Sequence, residues 1–372
     1  MEVRLGEVIE LNPRETIVKN TIARKISMND LEPFTRDIST FSYERYSGGT
    51  KFRNNDVLLA RITPCLENGK TAFVNILDQD EVAFGSTEYF VLRGKKGLID
   101  PYYLYYLSIS QDFRNVVIRS MTGTSGRQRA QKDSILDYKL NLPNIQYQRA
   151  ISAKLKVLDD KIRLNKQIND NLAEINKTVF SNFFANQNSI TKASDIADIR
   201  IGKTPPRKQK KWFSLNGGYK WLSIKDMKRD GIFALHTEEF LTKEAIEKYN
   251  IQVVPKHTVM LSFKLTIGRV KVSEENMVTN EAIAQFRNSK LPYEYLYTYL
   301  DDFSFETLGS TSSIAQAINS RIIKSMPILI PERDLLNKYL NFARPIFSKM
   351  LILQKENIKL TRLKQVLLNK YF

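Results

Sequence analysis

The stretch "DPYYLYYLSI" at 100–109 returns as "LPYEYLYTYLDD" from Leu291 onward, so a proline-led ladder of tyrosine and leucine occurs twice in one chain. Pro101 and Pro292 lie roughly half a chain length apart. Self-similarity on that scale restricts the fold to two copies of one domain and whatever joins them.

The copies stay in step on either side of the ladder. Before it stand "DVLLARITPCLENGKTAFV" and "TVMLSFKLTIGRVKV". Each is an apolar run, a turn carrying Gly-Lys or Gly-Arg, and a second short run, which predicts a hairpin in each copy. "STEYFVLR" and "TNEAIAQFR" follow, placing Glu88 and Glu281 ahead of a strand that ends in Arg93 and Arg287. The ladder's own spacing predicts a helix packed by one face. After it, Gln128 in "TSGRQ" and Gln316 in "SSIAQ" precede Pro143 and Pro331 by fifteen residues each, so a loop, a short helix and a closing strand match in length.

Beyond those prolines, 144–184 and 332–372 are equally long. In the first, Ile151, Leu155, Leu158, Ile162, Ile168, Leu172, Ile175 and Val179 recur mostly every three or four residues, one apolar seam along a helix, interrupted by Asn165 and Asn169. In the second, Leu336, Leu340, Ala343, Phe347, Met350, Leu353, Leu360, Leu363 and Leu367 do the same, interrupted by Asn357, and Pro345 is predicted to kink or restart the helix. Such seams pair either between chains, as a dimer, or with each other; two matched seams in one chain favour an antiparallel pair. The organisation is therefore domain 1–143, helix 144–184, domain 185–331 and helix 332–372, an α+β chain.

Charge indicates the partner. Lys and Arg number 57 against 40 Asp and Glu, a net charge of +17, which suits a polyanion bound through phosphate contacts and counterion release, nucleic acid first. Over 1–143 the balance is only 20 basic against 18 acidic, so DNA contact there has to rest on local patches. An anionic membrane surface would suit the charge too, but no basic amphipathic helix flanked by exposed aromatics is present, and no run approaches the roughly 20 apolar residues of a span. Acids at Glu2, Glu7 and Glu10 argue against a signal or transit peptide, which predicts a soluble, cytoplasmic protein. A single cysteine, Cys65, excludes internal disulfides; with His236 and His257 as the only imidazoles, no ligand set for structural zinc is expected.

The familiar catalytic patterns fail one by one. "NGKT" at 68–71 and "IGKT" at 201–204 imitate a phosphate loop, but Pro64 and Ala197 stand where its first glycine belongs. The one Pro-Pro lies in "KTPPRK", not in an Asn/Asp-Pro-Pro-aromatic methyltransferase loop, and none of the 12 prolines is followed by the aspartate of a common nuclease motif. Two histidines without surrounding motifs support no Ser/His/Asp or Cys/His arrangement. What remains reads as binding surface. "GKTPPRKQKKW" at 202–212 carries Lys203, Arg207, Lys208, Lys210 and Lys211 with no acid, on a backbone held extended by two prolines, and can track a phosphate backbone. "GTSGRQRAQK" at 123–132 combines flexible glycines with hydroxyls, Gln128 and three cations, the groups that bond phosphates and base edges.

In that order the motifs resemble the specificity subunit of type I restriction-modification enzymes. The second half carries the fuller signature: "IGKTPPR", "WLSIKDM" at 221–227, "VMLSFKLTIGRV", "TNEAIA" and "SSIAQAINSRIIKSMPILIP". The first half lacks both the Gly-x-Thr-Pro and the Trp-x-x-x-x-Asp. The resemblance implies two target recognition domains, each reading half of a bipartite DNA site, separated by two long helices that form an antiparallel coiled coil, set the gap and dock two modification subunits, in a pseudo-twofold arrangement. It implies that this chain is not an enzyme and holds no cofactor: S-adenosylmethionine would sit on the modification subunits, and ATP and Mg on partners that include the restriction subunits. The DNA-binding candidates in the first repeat are Arg61, Lys70, Ser125, Arg127, Gln128 and Arg129. In the second they are Lys203, Thr204, Arg207, Lys208, Lys210 and Lys211 on the basic stretch, then Lys225, Lys264, Arg269, Ser313 and Gln316. A coiled-coil scaffold that binds no specific DNA and a stand-alone enzyme of unfamiliar motif stay open as alternatives.

Overall fold

Both repeats turn their apolar runs into antiparallel sheets with one strand order. The computed structural model describes residues 2–264, 266–308 and 318–372. One unit comprises Met1–Ile162 with Lys359–Phe372, the other Arg163–Ile358. In the first unit the strands Ile9–Leu11, Tyr89–Gly94, Val57–Ala60 and Thr71–Phe73 lie side by side, all antiparallel. In the second, Asp198–Ile201, Ile283–Arg287, Val259–Ser262 and Val270–Ser273 repeat that order, and Phe233–Ala234 adds a parallel edge. The central strands "VLLA" and "VMLS" are buried at every position. A continuous apolar run is what a strand covered on both faces requires. In the first unit Val57 and Leu59 join the core of the ladder helix, while Leu58 joins that of a second sheet.

That second sheet also recurs. It contains Ile22–Ile26 parallel to Ala83–Gly85 in the first unit, and Tyr219–Leu222 parallel to Val278–Thr279 in the other. Each repeat is closed by a two-stranded pair, Glu2–Arg4 with Lys139–Asn141 and Ile190–Lys192 with Pro327–Leu329.

The first ladder forms the helix Pro101–Ile109, with Pro at its first turn and the Asp100 carboxylate accepting from Tyr103 N at 3.0 Å, a sound N-terminus. Its burial corrects the one-face expectation: every residue from Tyr103 to Ile109 is buried. The helix is covered on its flanks, by Phe73 of the sheet stacked 4.2 Å from Tyr102 and by Asp159 of the long helix bonded to Tyr106. The second ladder helix, Tyr293–Asp302, keeps an amphipathic pattern, with Tyr295, Leu296, Thr298 and Leu300 inside.

The first long helix is Ile145–Phe184 and the second Arg333–Tyr371. Partner residues rise along one as they fall along the other. In the first unit Lys154 meets Tyr371 at 3.3 Å and Asp159 meets Lys364 at 2.6 Å. In the second unit Asn165 meets Asn357 at 2.9 Å and Asn176 meets Tyr339 at 3.1 Å. Within each unit the helices are therefore antiparallel, and across the second unit's pair the interruption Asn165 donates its Nδ2 to Asn357 Oδ1. The helix does not restart at Pro345; one element continues through it. Buried Ala343 and Phe347 on either side hold that stretch to the core and offset the missing backbone bond.

Candidate nucleic-acid interface

The Trp-Leu-Ser-Ile-Lys-Asp signature of the second repeat has a structural counterpart in the first, where the sequence shows no tryptophan to mark it. Ser223 Oγ donates to Asp226 Oδ2 at 2.6 Å, and the same aspartate oxygen accepts from Ser223 N at 3.1 Å. Ser27 Oγ donates to Asp30 Oδ2 at 2.6 Å, and Ser27 N does so at 2.7 Å. Both serines directly follow the parallel strand pair, where Ile26 faces Gly85 and Leu222 faces Thr279. "KISMND" thus stands where "WLSIKD" does, with Lys25 replacing Trp221. The Ser-x-x-Asp spacing is the one signal in sequence that could have found it.

Two candidate cations are tied to that element. Lys70 Nζ donates to the carbonyl of Met28 at 2.6 Å, and Arg269 Nη1 to the carbonyl of Ile224 at 3.0 Å. Met28 and Ile224 each follow the capping serine. The preceding glycines, Gly69 and Gly268, have φ of +80° and +88°, the conformation that favours glycine at a tight turn. This repeated cation is a strut between hairpin and cap, its head group already bonded.

The 123–132 stretch forms a turn closed by Thr122 and Arg129, whose backbones bond each other at 3.1 and 2.9 Å. Arg129 grips the Glu88 carboxylate through Nε and Nη2, the latter at 2.7 Å, and Arg61 Nε lies 3.4 Å from the same group. The Arg129 guanidinium holds the Glu88 carboxyl below its ordinary pKa. Gln128 gives its carbonyl to Thr63 N at 3.0 Å. Ser125 and Arg127 are exposed, and Arg127 has no carboxylate partner among the described residues.

The basic stretch of the second unit divides in two. Its first part is bound to the fold. Gly202 runs so close to the strand end that a Cβ would stand 2.2 Å from the carbonyls of Thr279 and Asn280. Lys203 Nζ donates to the carbonyls of Tyr249 and Asn250 at 3.2 and 3.0 Å, and the Lys203 carbonyl accepts from Trp221 Nε1 at 3.3 Å. Thr204 Oγ1 donates to the Glu281 carboxylate. Arg207 lies 4.3 Å over the Trp221 ring and pairs with both oxygens of Glu239, at 2.9 and 2.7 Å. The Gly-x-Thr-Pro and tryptophan signatures thus lock one strap to one sheet. Beyond it, Lys208, Lys210 and Lys211 are exposed. Lys211 lies 4.5 Å over Trp212, and Lys208 and Lys210 have no carboxylate partner among the described residues.

Lys225 is exposed and pairs with Glu238 at 2.9 Å, a surface bridge of small energy. Lys264 is exposed, with its ammonium 5.5 Å from the Phe263 ring. Ser313 and Gln316 lie outside the described residues. Among the described residues no group of three His, Cys, Asp or Glu is placed to hold a metal ion, and no helix is long and apolar enough to cross a membrane.

Comparison with known proteins agrees with this repeated build. The chain is 22% identical to the HindI specificity subunit of Haemophilus influenzae, a type I restriction enzyme, over 85% of each chain. It is 33% identical to the EcoAI specificity subunit of Escherichia coli over 104 residues, which cover 28% of this chain and 18% of that one. Its fold is similar to that of a type I restriction-modification S subunit from M. genitalium, with a TM-score of 0.56 at 16% identity, covering 100% of this chain and 96% of that one. The model for the type I restriction modification DNA specificity domain matches residues 1–174 and again 188–340, once on each repeat, and on that evidence the chain belongs to the type I DNA specificity family.

Proposed function

We propose that each repeat reads one half of a bipartite DNA site and that the two long helices set the gap between the halves and dock two modification subunits. The observation that carries this reading is one scaffold built twice with unlike loops. The capping turn, the hairpin strut and the ladder recur at matching positions, while the stretch after Ile201, with its Gly-x-Thr-Pro and exposed Lys208 and Lys210, has as its counterpart after Leu11 a stretch with neither that motif nor a lysine cluster. Shared scaffold with divergent loops is what two unrelated half-sites require, since base edges specify and phosphate contacts position.

Docking is supported by apolar residues left outside on the helices. Val157, Leu164 and Ile175 are 65%, 50% and 49% exposed and, at seven and eleven residue steps, share one helix face. Ile352, Leu363 and Val366 form a similar exposed face on the second long helix. Exposed apolar side chains aligned on one helix face suit a protein partner. In this reading the chain lies in the cytoplasm and binds no cofactor; methyl transfer with S-adenosylmethionine belongs to the modification subunits, and ATP and Mg to a complex that includes restriction subunits. A scaffold without specific DNA binding leaves the divergent basic loops unused.

The test has two arms. Titrating the purified chain with random duplex against salt should give a steep negative slope of log K. Co-expression with modification subunits should direct methylation to one two-part sequence; a chain that shows neither is a scaffold.

A further inference from the structure

In both units the backbone just beyond the Ser-x-x-Asp cap is fastened to a long helix at one point of the scaffold. Phe73 N donates to the Arg36 carbonyl at 2.9 Å, and Val272 N to the Ile232 carbonyl at 2.9 Å. Phe73 and Val272 are equivalent as the strand partners of Val57 and Val259. Arg36 and Ile232 therefore mark one position, nine residues beyond the capping serine in each repeat.

From that position in the first unit the domain reaches for the helix. Arg36 is 3% exposed; its Nη2 donates to Asp160 Oδ1 at 2.6 Å and its Nη1 to the Lys156 carbonyl at 3.5 Å. Lys156 Nζ donates to the other Asp160 oxygen at 2.8 Å, and Asp37 holds the far edge of the guanidinium at 3.0 Å. In the second unit the helix reaches for the domain. Gln354 accepts from Phe233 N at 3.2 Å and donates to the Phe233 carbonyl at 2.6 Å, gripping one residue's backbone from both sides. Gly231, at φ +81°, makes room, because a Cβ there would stand 2.4 Å from the Gln354 amide carbon. Lys271, buried, steadies the same turn by donating to the carbonyls of Arg229, at 2.6 Å, and Gly231.

We infer that Arg36 with Asp160, and Gln354 with the Phe233 backbone, are positioning clasps: each fixes the attitude of one recognition domain on its long helix and so sets how strictly a single gap between half-sites is held. The inference rests on the proposed reading that the repeats read two half-sites spaced by the helices. Apolar burial is non-directional and lets a domain roll on a helix surface. A guanidinium fork on a carboxylate and a two-point amide grip are directional and resist that roll. Two unrelated chemistries at equivalent points are explained by what they have in common, which is the fastening.

The test uses the full chain co-expressed with its modification subunits, with methylated sites mapped across a genome for wild type, Asp160→Asn and Gln354→Ala. Each variant should keep both half-site sequences while methylation at gaps one base pair longer or shorter rises about tenfold, the equivalent of one strong hydrogen bond. A Gln354→Ala chain that methylates with the wild-type gap strictness overturns the inference. So does a variant whose half-site sequence changes while its gap does not, or loss of folding in both variants, which would make the clasps stability elements. If Asp160→Asn alone fails to fold, Gln354→Ala, which removes no charge, decides. A wild-type chain that directs methylation to no two-part site fails the underlying reading instead.

Discussion

Where each ladder helix meets the two long helices, the buried hydrogen-bonded trio is charged in one unit and neutral in the other, although the ion pairs Lys177–Asp302 and Arg344–Glu294 flank the neutral one. In the first, Tyr106 of the ladder donates to Asp159 Oδ2 at 2.8 Å and Lys364 donates to Asp159 Oδ1 at 2.6 Å, a charged trio with both ions at most 8% exposed. In the second, Asn176 Nδ2 donates to Thr298 Oγ1 at 2.9 Å, Tyr339 Oη donates to Asn176 Oδ1 at 3.1 Å, and Thr298 and Tyr339 lie 3.0 Å apart, a neutral trio. The clasps follow the same division, guanidinium and carboxylate in one unit, amide and backbone in the other. A buried ion pair is weak evidence of net stability, because desolvation consumes most of its attraction. What it supplies is selectivity: the first ladder packed on the second unit's helix segments would lose the Asp159 carboxylate that its buried Tyr106 hydroxyl donates to, and would leave Asp159 with Lys364 alone. One scaffold thus carries two locks that do not accept each other's keys.

Breaking one lock at a time gives the largest contrast. Lys364→Met leaves Asp159 buried with only the Tyr106 hydroxyl and should cost about 4 kcal/mol. Asn176→Ala leaves Thr298 and Tyr339 bonded to each other and should cost about 1.5 kcal/mol. Urea unfolding of the two variants measures both, and equal losses would show that the charged and neutral junctions are energetically alike.

The next effect is on binding. Replacing Lys208, Lys210 and Lys211 together with Gln should weaken duplex binding about a hundredfold and flatten the salt slope by about 2.7. The recognised sequence should stay the same, because flexible exposed ammonium groups on an extended run meet phosphates rather than base edges. A changed sequence in the methylation map would mean that the run reads bases.

Acid should loosen the first unit's clasp and leave the second's intact. Burial raises the Asp160 carboxyl, but the bonds from Lys156 and Arg36 outweigh it and bring its pKa from 3.8 to about 2. A carboxylate lowered in this way contributes stability that is fully present above its unfolded value and is lost as pH falls through the folded one. About 2 kcal/mol should therefore disappear between roughly pH 4 and pH 2. Asp160→Asn should remove that part of the acid sensitivity and Gln354→Ala should not, as read by unfolding curves across that window.

The smallest effect separates struts from contacts. Lys70→Met and Arg269→Met each delete one bond to a cap carbonyl and should cost about 1 kcal/mol of stability while leaving the salt slope of DNA binding unchanged. A slope reduced by about 0.9 in either variant would put that cation on a phosphate.

Periodicity made the repeats, the hairpins and the helical seams legible, because sheet and helix burial leave patterns at intervals of two and three to four residues. Three features were less visible. The all-round burial of Tyr103–Ile109 depends on a neighbouring sheet and helix brought in from elsewhere in the chain. The passage of the second long helix through Pro345 depends on the packing of Ala343 and Phe347. The first repeat's cap was obscured because Lys25 replaces the tryptophan that marks the other. For the interface, composition found the cations, but only geometry separates Arg61, Arg129 and Arg207, each held by a carboxylate, from Arg127, Lys208 and Lys210. Charge partners distant in sequence carry no spacing signal.

The central claim, two repeats reading two separate half-sites, is tested most directly by altering one loop and reading the whole site. Ser125, Arg127 and Gln128 are changed together to Ala in a chain co-expressed with its modification subunits, and every methylated position in a genome is mapped. One half of the recognised sequence should relax or change while the other half and the gap stay as they were. A site altered in both halves at once, or unaltered in either, would contradict the claim.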